Sequence, residues 1–482
     1  MPWSRRTFMQ WAAAATTIGS RSLLAQRAAS AFRPGLLPSE RAVWDQQVWM
    51  AKLGPKYTGN RAHAEFVEFL ARELTATGLD VARERYTFPR WDAKRSALTV
   101  VSASGDSSKI PVTSYFPYSG QTSAAGVAGE IVFAGTNPTF DLTGLQGKIA
   151  LVECPTNVRR WAEEYRPWGV YPHTETFPAS YRPARASVND LTPFRKAGAI
   201  AVILAWTDIS DANALDQYSP FSRPPQGIPG LYVGRAAGAR LRALAAAGAK
   251  ATVVLEADVT ADTPTDTLVA TLPGSTADEV IIVNTHTDGP NATEENGALG
   301  ILALMKYFSK IPRNERRRTI VCPLTTGHFA SPWVPSIRGF ITKYPDVVQR
   351  AVAALTVEHL GCMEWADDAS LRYGATGKEE WSVAITPSRP MAERLVEALQ
   401  GSDDRRTAVV NPVNGGFLGE GSALSRAGIP TIGYIPQPNY LLAGPADGCI
   451  EKLSARLMHA QIQVFAKAIH SIDAATAGEL RG

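Results

Sequence analysis

His286-Thr287-Asp288 and, seven residues on, Glu295-Asn296-Gly297 form the stretch on which the reading of this 482-residue chain turns. It closely follows the apolar run Val280-Ile281-Ile282-Val283 and precedes the helical pattern Gly300-Ile301-Leu302-Ala303-Leu304-Met305. A buried strand that ends in His-x-Asp, then a short loop with paired acids, then a helix, presents side chains where open α/β sheets gather ligands, at strand carboxyl ends. Imidazole plus carboxylate is also the donor set that zinc accepts. The stretch points to a metal-dependent hydrolytic site.

The surrounding pattern sets the fold class. From Thr267 onward, strands are expected at 267–272, 279–284, 318–325, 352–357 and 431–435, with helices at 297–308, 338–343, 391–399 and 452–469. That alternation predicts an α/β fold with a mainly parallel sheet and helices on both faces. Upstream, Glu40–Leu53 reads as a helix, and Arg61–Leu74 as another with Phe66, Phe69, Leu70 and Leu74 on one face, stopped by Gly78. Strands follow at 80–88 and 96–102. From about Pro111 to Asp258 the texture changes to short β patterns broken by glycine, with an irregular, Pro-, Tyr- and Trp-rich stretch from Pro155 to Arg185.

Three further strand ends carry polar residues. The strand ending at Thr325 delivers Gly327-His328, the next delivers Glu358-His359, and the last delivers Asn439-Tyr440 and later Asp447. Only seven histidines exist in the chain, and three of them, His286, His328 and His359, fall at strand carboxyl ends. Glu294 and Glu295 suit a helix N-terminus on charge alone, which is compatible with one of them also binding metal.

The N-terminus reads as an address. Ser4-Arg5-Arg6-Thr7-Phe8-Met9 is a twin-arginine pattern, an apolar run spans Trp11–Ile18, and Ala29-Ser30-Ala31 offers a cleavage site before Phe32. Export by the Tat machinery to the periplasm or the medium is expected. The apolar run is too short to anchor the chain stably in a membrane. Arg5, Arg6, Arg21 and Arg27 account for the formal net charge of +4. The remainder is near neutral, with no case for a nucleic-acid partner. None of Cys154, Cys322, Cys362 and Cys449 forms a C-x-x-C pair, which argues against a zinc knuckle. Pairing of Cys362 with Cys449 is left open.

On these motifs the chain resembles metallopeptidase family 28, the zinc aminopeptidases and their relatives. Leu53-Gly54-Pro55-Lys56-Tyr57-Thr58-Gly59, Thr267–Ser275 and Gly428–Gly433 resemble family segments, and Gly147–Val152 with Gly227-Ile228-Pro229 is similar to a protease-associated insert. The resemblance implies a signal at 1–31, a peptidase-like domain made of 32–110 and 259–482, and a protease-associated insert at 111–258. It makes His286 a zinc ligand, Asp288 its orienting carboxylate, and Glu295 the counterpart of the family's bridging aspartate. Glu358 matches the aspartate after the third strand. The family's Glu-Glu pair is replaced by Gly327-His328, and its last histidine by Ala443.

One or two zinc ions are thus expected, on His286, Glu295 and Glu358 with an open water position, His328 adding a ligand and His359 acting as ligand or acid/base. With the usual base absent, Glu294, His328 or His359 takes its place, or the metal hydroxide acts alone. Tyr440 could stabilise an oxyanion and Glu420 could bind an amine. The expected activity is cleavage of a peptide or small amide. A non-catalytic binding protein and a glutaminyl-cyclase-like enzyme are the alternatives.

Overall fold

The computed structural model describes residues 32–158, 160–171, 186–219, 221, 224–413 and 416–481. The twin-arginine stretch therefore lies outside the described residues. No helix among them is long and apolar enough to cross a membrane.

The architecture is α/β, built on one large, mostly parallel central sheet. Its strands are β1 (Asp80–Val101), β2 (Val127–Thr136), β3 (Ile149–Cys154), β4 (Tyr165–Tyr171), β5 (Ala201–Trp206), β6 (Gly230–Val233), β7 (Lys250–Leu272), β8 (Thr276–His286), β9 (Arg318–Thr325), β10 (Ala351–Val357), β11 (Ser382–Ile385), β12 (Thr407–Pro412) and β13 (Thr431–Tyr434). The main helices are α1 (Glu40–Lys52), α2 (Arg61–Ala76), α3 (Arg235–Ala246), α4 (Gly297–Phe308), α5 (Ile337–Lys343), α6 (Arg389–Leu399), α7 (Gly421–Arg426) and α8 (Ala455–Ala474).

At the centre, β9, β8, β10 and β13 run parallel in that order. Successive side chains of β8 serve opposite faces, as a pleated strand demands. Ile281 and Val283 join one core with α1, α2, α4 and α8, while Val280 and Ile282 join another with α5 and α7. Burial on both faces explains why this strand reads as a continuous apolar run rather than an alternating one.

The second part of that sheet, β2, β3, β5 and β6, is smaller and all parallel, with a core on each face. A long antiparallel ribbon joins it to the first. β1 pairs with β7 from Asp80↔Thr271 to Val101↔Lys250, while β7 itself borders β2 at one end and β9 at the other. The two strands expected at 80–88 and 96–102 are thus one. Its register shifts at Phe88/Arg90 and Ala93/Arg95, where the ribbon passes the site.

The stretch read as irregular between Pro155 and Arg185 contains a strand. β4 pairs antiparallel with β12 and forms the edge of the central sheet. Its Pro167 and Gly169 hide it from pattern reading, and an edge is where a strand tolerates proline. All four cysteines are buried free thiols, so Cys362 and Cys449 are not paired. Cys362 Sγ instead donates to the His359 carbonyl at 3.0 Å.

Candidate metal centre

The carboxyl ends of β8, β9 and β10 bring His286, His328 and His359 together, with Glu294 and Glu358 among them. His286, Glu358 and His359 offer ligand atoms that all lie within 4.8 Å of one another, and so do His286, Glu294 and His328. The His286 and His328 rings stack with centroids 4.2 Å apart. His359 Nε2 is 3.2 Å from Glu294 Oε2.

Each imidazole is fixed through its Nδ1. His286 Nδ1 lies 2.8 Å from the Asp288 carbonyl, His328 Nδ1 2.7 Å from Glu420 Oε1, and His359 Nδ1 2.7 Å from the Pro436 carbonyl. A carbonyl or carboxylate accepts only, so each Nδ1 carries a proton, which leaves Nε2 of His286 and of His359 as the buried nitrogen with a lone pair for a cation. His286 Nε2 is buried and makes no hydrogen bond among the described residues. Such an orphaned nitrogen costs free energy unless a cation or proton meets it. Two imidazoles and a carboxylate, as each three-residue group offers, fit a divalent ion of the zinc type.

Backbone conformation aims these groups. His359 has φ 58°, a left-handed conformation rare for a side chain of this size. Gly419 has φ +69°, and a Cβ there would lie 2.7 Å from both Glu358 carboxylate oxygens. Only glycine lets that loop approach, and the Glu420 N–H then donates to Glu358 Oε1 at 2.8 Å.

The electrostatics are dominated by pairing. Burial opposes charge on Glu294, but His359 and the other imidazoles outweigh it and hold its carboxyl below the ordinary range. Burial likewise works against charge on His328 and Glu420. Their mutual hydrogen bond prevails, raising His328 to about 9 and lowering Glu420 to about 2.

Several expected roles are corrected. Glu295 lies outside both clusters and points the other way, to Lys56, whose Nζ is 2.7 Å from its Oε1 with both side chains fully buried. The Asp288 carboxylate does not touch His286. It accepts from Thr58 Oγ1 and from the N–H groups of Gly327, His328 and Phe329, so it shapes the His328 loop. The Tyr440 hydroxyl lies 3.0 Å from the Met363 carbonyl and 2.9 Å from the Lys452 carbonyl, which leaves it no part in an oxyanion hole. Glu420 serves His328 rather than an amine. Ala443 has no side-chain ligand to offer, and its carbonyl accepts from Asn291.

Asn291 carried no expectation. Its Nδ2 lies 2.8–3.1 Å from the carbonyls of Tyr440, Leu441 and Ala443, and its Oδ1 accepts from the N–H groups of Thr293 and Glu294. This one side chain ties the loop before α4 to the 440–443 segment and sets the direction of Glu294. The motif Gly289-Pro290-Asn291 contained a turn signal that could have indicated it.

Beside the centre is a cavity of about 300 Å³ whose lining joins the rings of Tyr57, Trp91, Tyr115, Tyr118, Tyr218 and Phe329 to the charged Arg90, Asp92 and Lys94. Trp91 lies on β1 between its two register shifts. Phe329 makes edge contacts with the rings of both His286 and His328, so the cavity opens beside the ligand cluster.

No family model matches the chain, and no curated protein matches its sequence. Solved structures do match along nearly its whole length. The peptidase M28 precursor from Shewanella amazonensis SB2B is 17% identical with a TM-score of 0.66, over 94% of this chain and 96% of that one. BSAP, a zinc aminopeptidase from Bacillus subtilis, is 16% identical with a TM-score of 0.61, over 92% and 98%. An aminopeptidase from Aneurinibacillus sp. strain AM-1 is 16% identical with a TM-score of 0.60, over 89% and 93%. At that identity the likeness is one of fold: this chain is folded as the zinc aminopeptidases are.

Proposed function

We propose that this chain is an exported metal-dependent hydrolase that cleaves a peptide or other small amide bond. The observation that carries the reading is the buried group His286, Glu358 and His359, whose ligand atoms lie within 4.8 Å of one another while a backbone carbonyl holds Nδ1 of each imidazole. The wholly buried triad His286, Glu358 and His359 would hold the ion. A divalent ion there supplies Lewis-acid polarisation of a carbonyl and acidifies water toward neutral pH.

The flanking residues divide the proton work. Glu294, with Oε2 turned to the centre and no hydrogen bond of good alignment, is placed to accept a proton. The side chain of His328 is 18% exposed, backed by Glu420 and in edge contact with Phe329 of the cavity lining, where it is placed to donate a proton to the leaving group. The cavity receives the substrate's apolar side chain. Export rests on the Ser4-Arg5-Arg6 segment and its cleavage site.

The test is elemental analysis of purified protein and a panel of aminoacyl anilides assayed with and without chelator. Bound zinc, chelator-sensitive turnover, and loss of both in a folded His286→Ala variant are expected. Absence of metal refutes the reading. Bound metal without turnover of any amide makes the protein a metal-holding binder instead.

A further inference from the structure

We infer that Lys56 is a built-in cation that holds Glu295 away from the metal, so that the centre takes one divalent ion per chain and not two. The inference rests on the metal-dependent reading above. It begins at the ammonium group. Lys56 is fully buried, and its Nζ lies 2.7 Å from Glu295 Oε1, 2.8 Å from the Gly54 carbonyl and 3.2 Å from the Met50 carbonyl. Its hydrogen bonds go to the two carbonyls, and it meets the Glu295 carboxylate as a buried ion pair.

The backbone locks this arrangement in place. Lys56 and Gly289 exchange both backbone hydrogen bonds, at 2.8 and 3.0 Å, which joins the segment before α2 to the loop after His286. A Cβ at Gly289 would collide with Glu295 Oε2, so that carboxylate is enclosed on its second oxygen too. Turning Glu295 toward a metal would strip a buried ammonium of its counter-charge, a strongly unfavourable change. The carboxylate that the resemblance assigns to bridging two ions is thereby neutralised by one lysine.

The ligand set bears on the count as well. Both three-residue clusters contain His286. Its Nδ1 is committed to the Asp288 carbonyl, so it has one lone pair, on Nε2, to give. Two ions cannot both take it, and Glu295 is not free to bridge them.

The experiment is metal counting by elemental analysis and native mass spectrometry, after zinc-free protein is loaded with excess Zn²⁺ and desalted. Wild type is expected to hold one zinc per chain. Lys56→Met, which releases Glu295, is expected to hold a second. A Lys56→Met/Glu295→Gln double variant buries no unpaired charge and is expected to keep one zinc, with affinity within about threefold of wild type.

Two zinc ions in the wild type overturn the inference alone, as does a single zinc in folded Lys56→Met. If that variant does not fold, the double variant decides: an affinity lowered tenfold or more makes Glu295 a ligand and overturns the inference. No zinc in the wild type overturns the metal-dependent reading itself, and the inference with it.

Discussion

His328 and Glu420 are joined at 2.7 Å through Nδ1 and Oε1, and the other oxygen of the same carboxylate accepts from Ser336 Oγ at 2.9 Å and from the Ile337 N–H at 3.2 Å. The carboxylate is thus anchored to the start of α5 while it orients an imidazole. Glu420→Gln keeps the shape and removes the charge. Partners of this kind are worth about 10–100-fold in activity or metal affinity. If His328 donates a proton, kcat/KM falls by that factor while zinc content is unchanged. If zinc is lost instead, His328 is a ligand. Parallel metal analysis and anilide kinetics distinguish the two, and unchanged kinetics would remove His328 from the mechanism.

Asn291 offers a test of how the acid loop is held. Asn291→Ala leaves the carbonyls of Tyr440, Leu441 and Ala443 and the N–H groups of Thr293 and Glu294 without their buried partner. Leaving several buried polar groups unsatisfied costs about 2–4 kcal/mol. Urea denaturation should show that loss. A midpoint unchanged from wild type would mean that the loop is held by other contacts.

How much of this was legible in the sequence depends on the kind of contact. The central strands and the three histidines were, because a strand buried on both faces has a distinctive apolar run and its carboxyl end is marked by polar residues. The choice between Glu294 and Glu295 was not. Adjacent acids ahead of a helix look alike in sequence, and their directions are set by the Asn291 turn and by Lys56, which lies more than 230 residues earlier. The partners that fix His286 and His359 are backbone carbonyls, of Asp288 and Pro436, and a backbone carbonyl leaves no residue-type signature. The Asp288 carboxylate, expected to orient His286, accepts instead from the N–H groups of residues 327–329, a reach that depends on how the loop after β9 folds back.

The aromatic cavity predicts a substrate preference. Trp91 contacts Tyr115 and Tyr118, with ring centroids 5.7 and 6.1 Å away, and lines with them and Phe329 a space of about 300 Å³. An aromatic side chain buried there gains roughly 1.5–3 kcal/mol relative to water. Trp91→Ala should therefore lower kcat/KM at least tenfold for phenylalanyl or tyrosyl anilides and leave alanyl anilide within about twofold. Equal losses on all substrates would assign Trp91 to the structure of the ribbon and not to side-chain recognition.

Glu380 gives the fold a dependence on pH that is separable from the metal. It is buried, accepts from the Trp381 N–H at 2.9 Å, and is pushed up to about 8 by burial first and by the Glu364 carboxylate second. Its folded value lies above its value in the unfolded chain, near 4.3. The native state therefore binds this proton more tightly, and the associated stability is fully present below about pH 4 and lost as pH rises through about 8. Asp404, raised to about 6 by burial, acts in the same direction. Glu380→Gln, neutral at every pH, should make the Tm of metal-free protein fall less than wild type between pH 5.5 and 8.5, values chosen on either side of roughly neutral. The variant should be the more stable of the two at the alkaline end. Parallel Tm–pH curves for the two proteins would show that Glu380 ionises without cost, through contact with water or through Arg406.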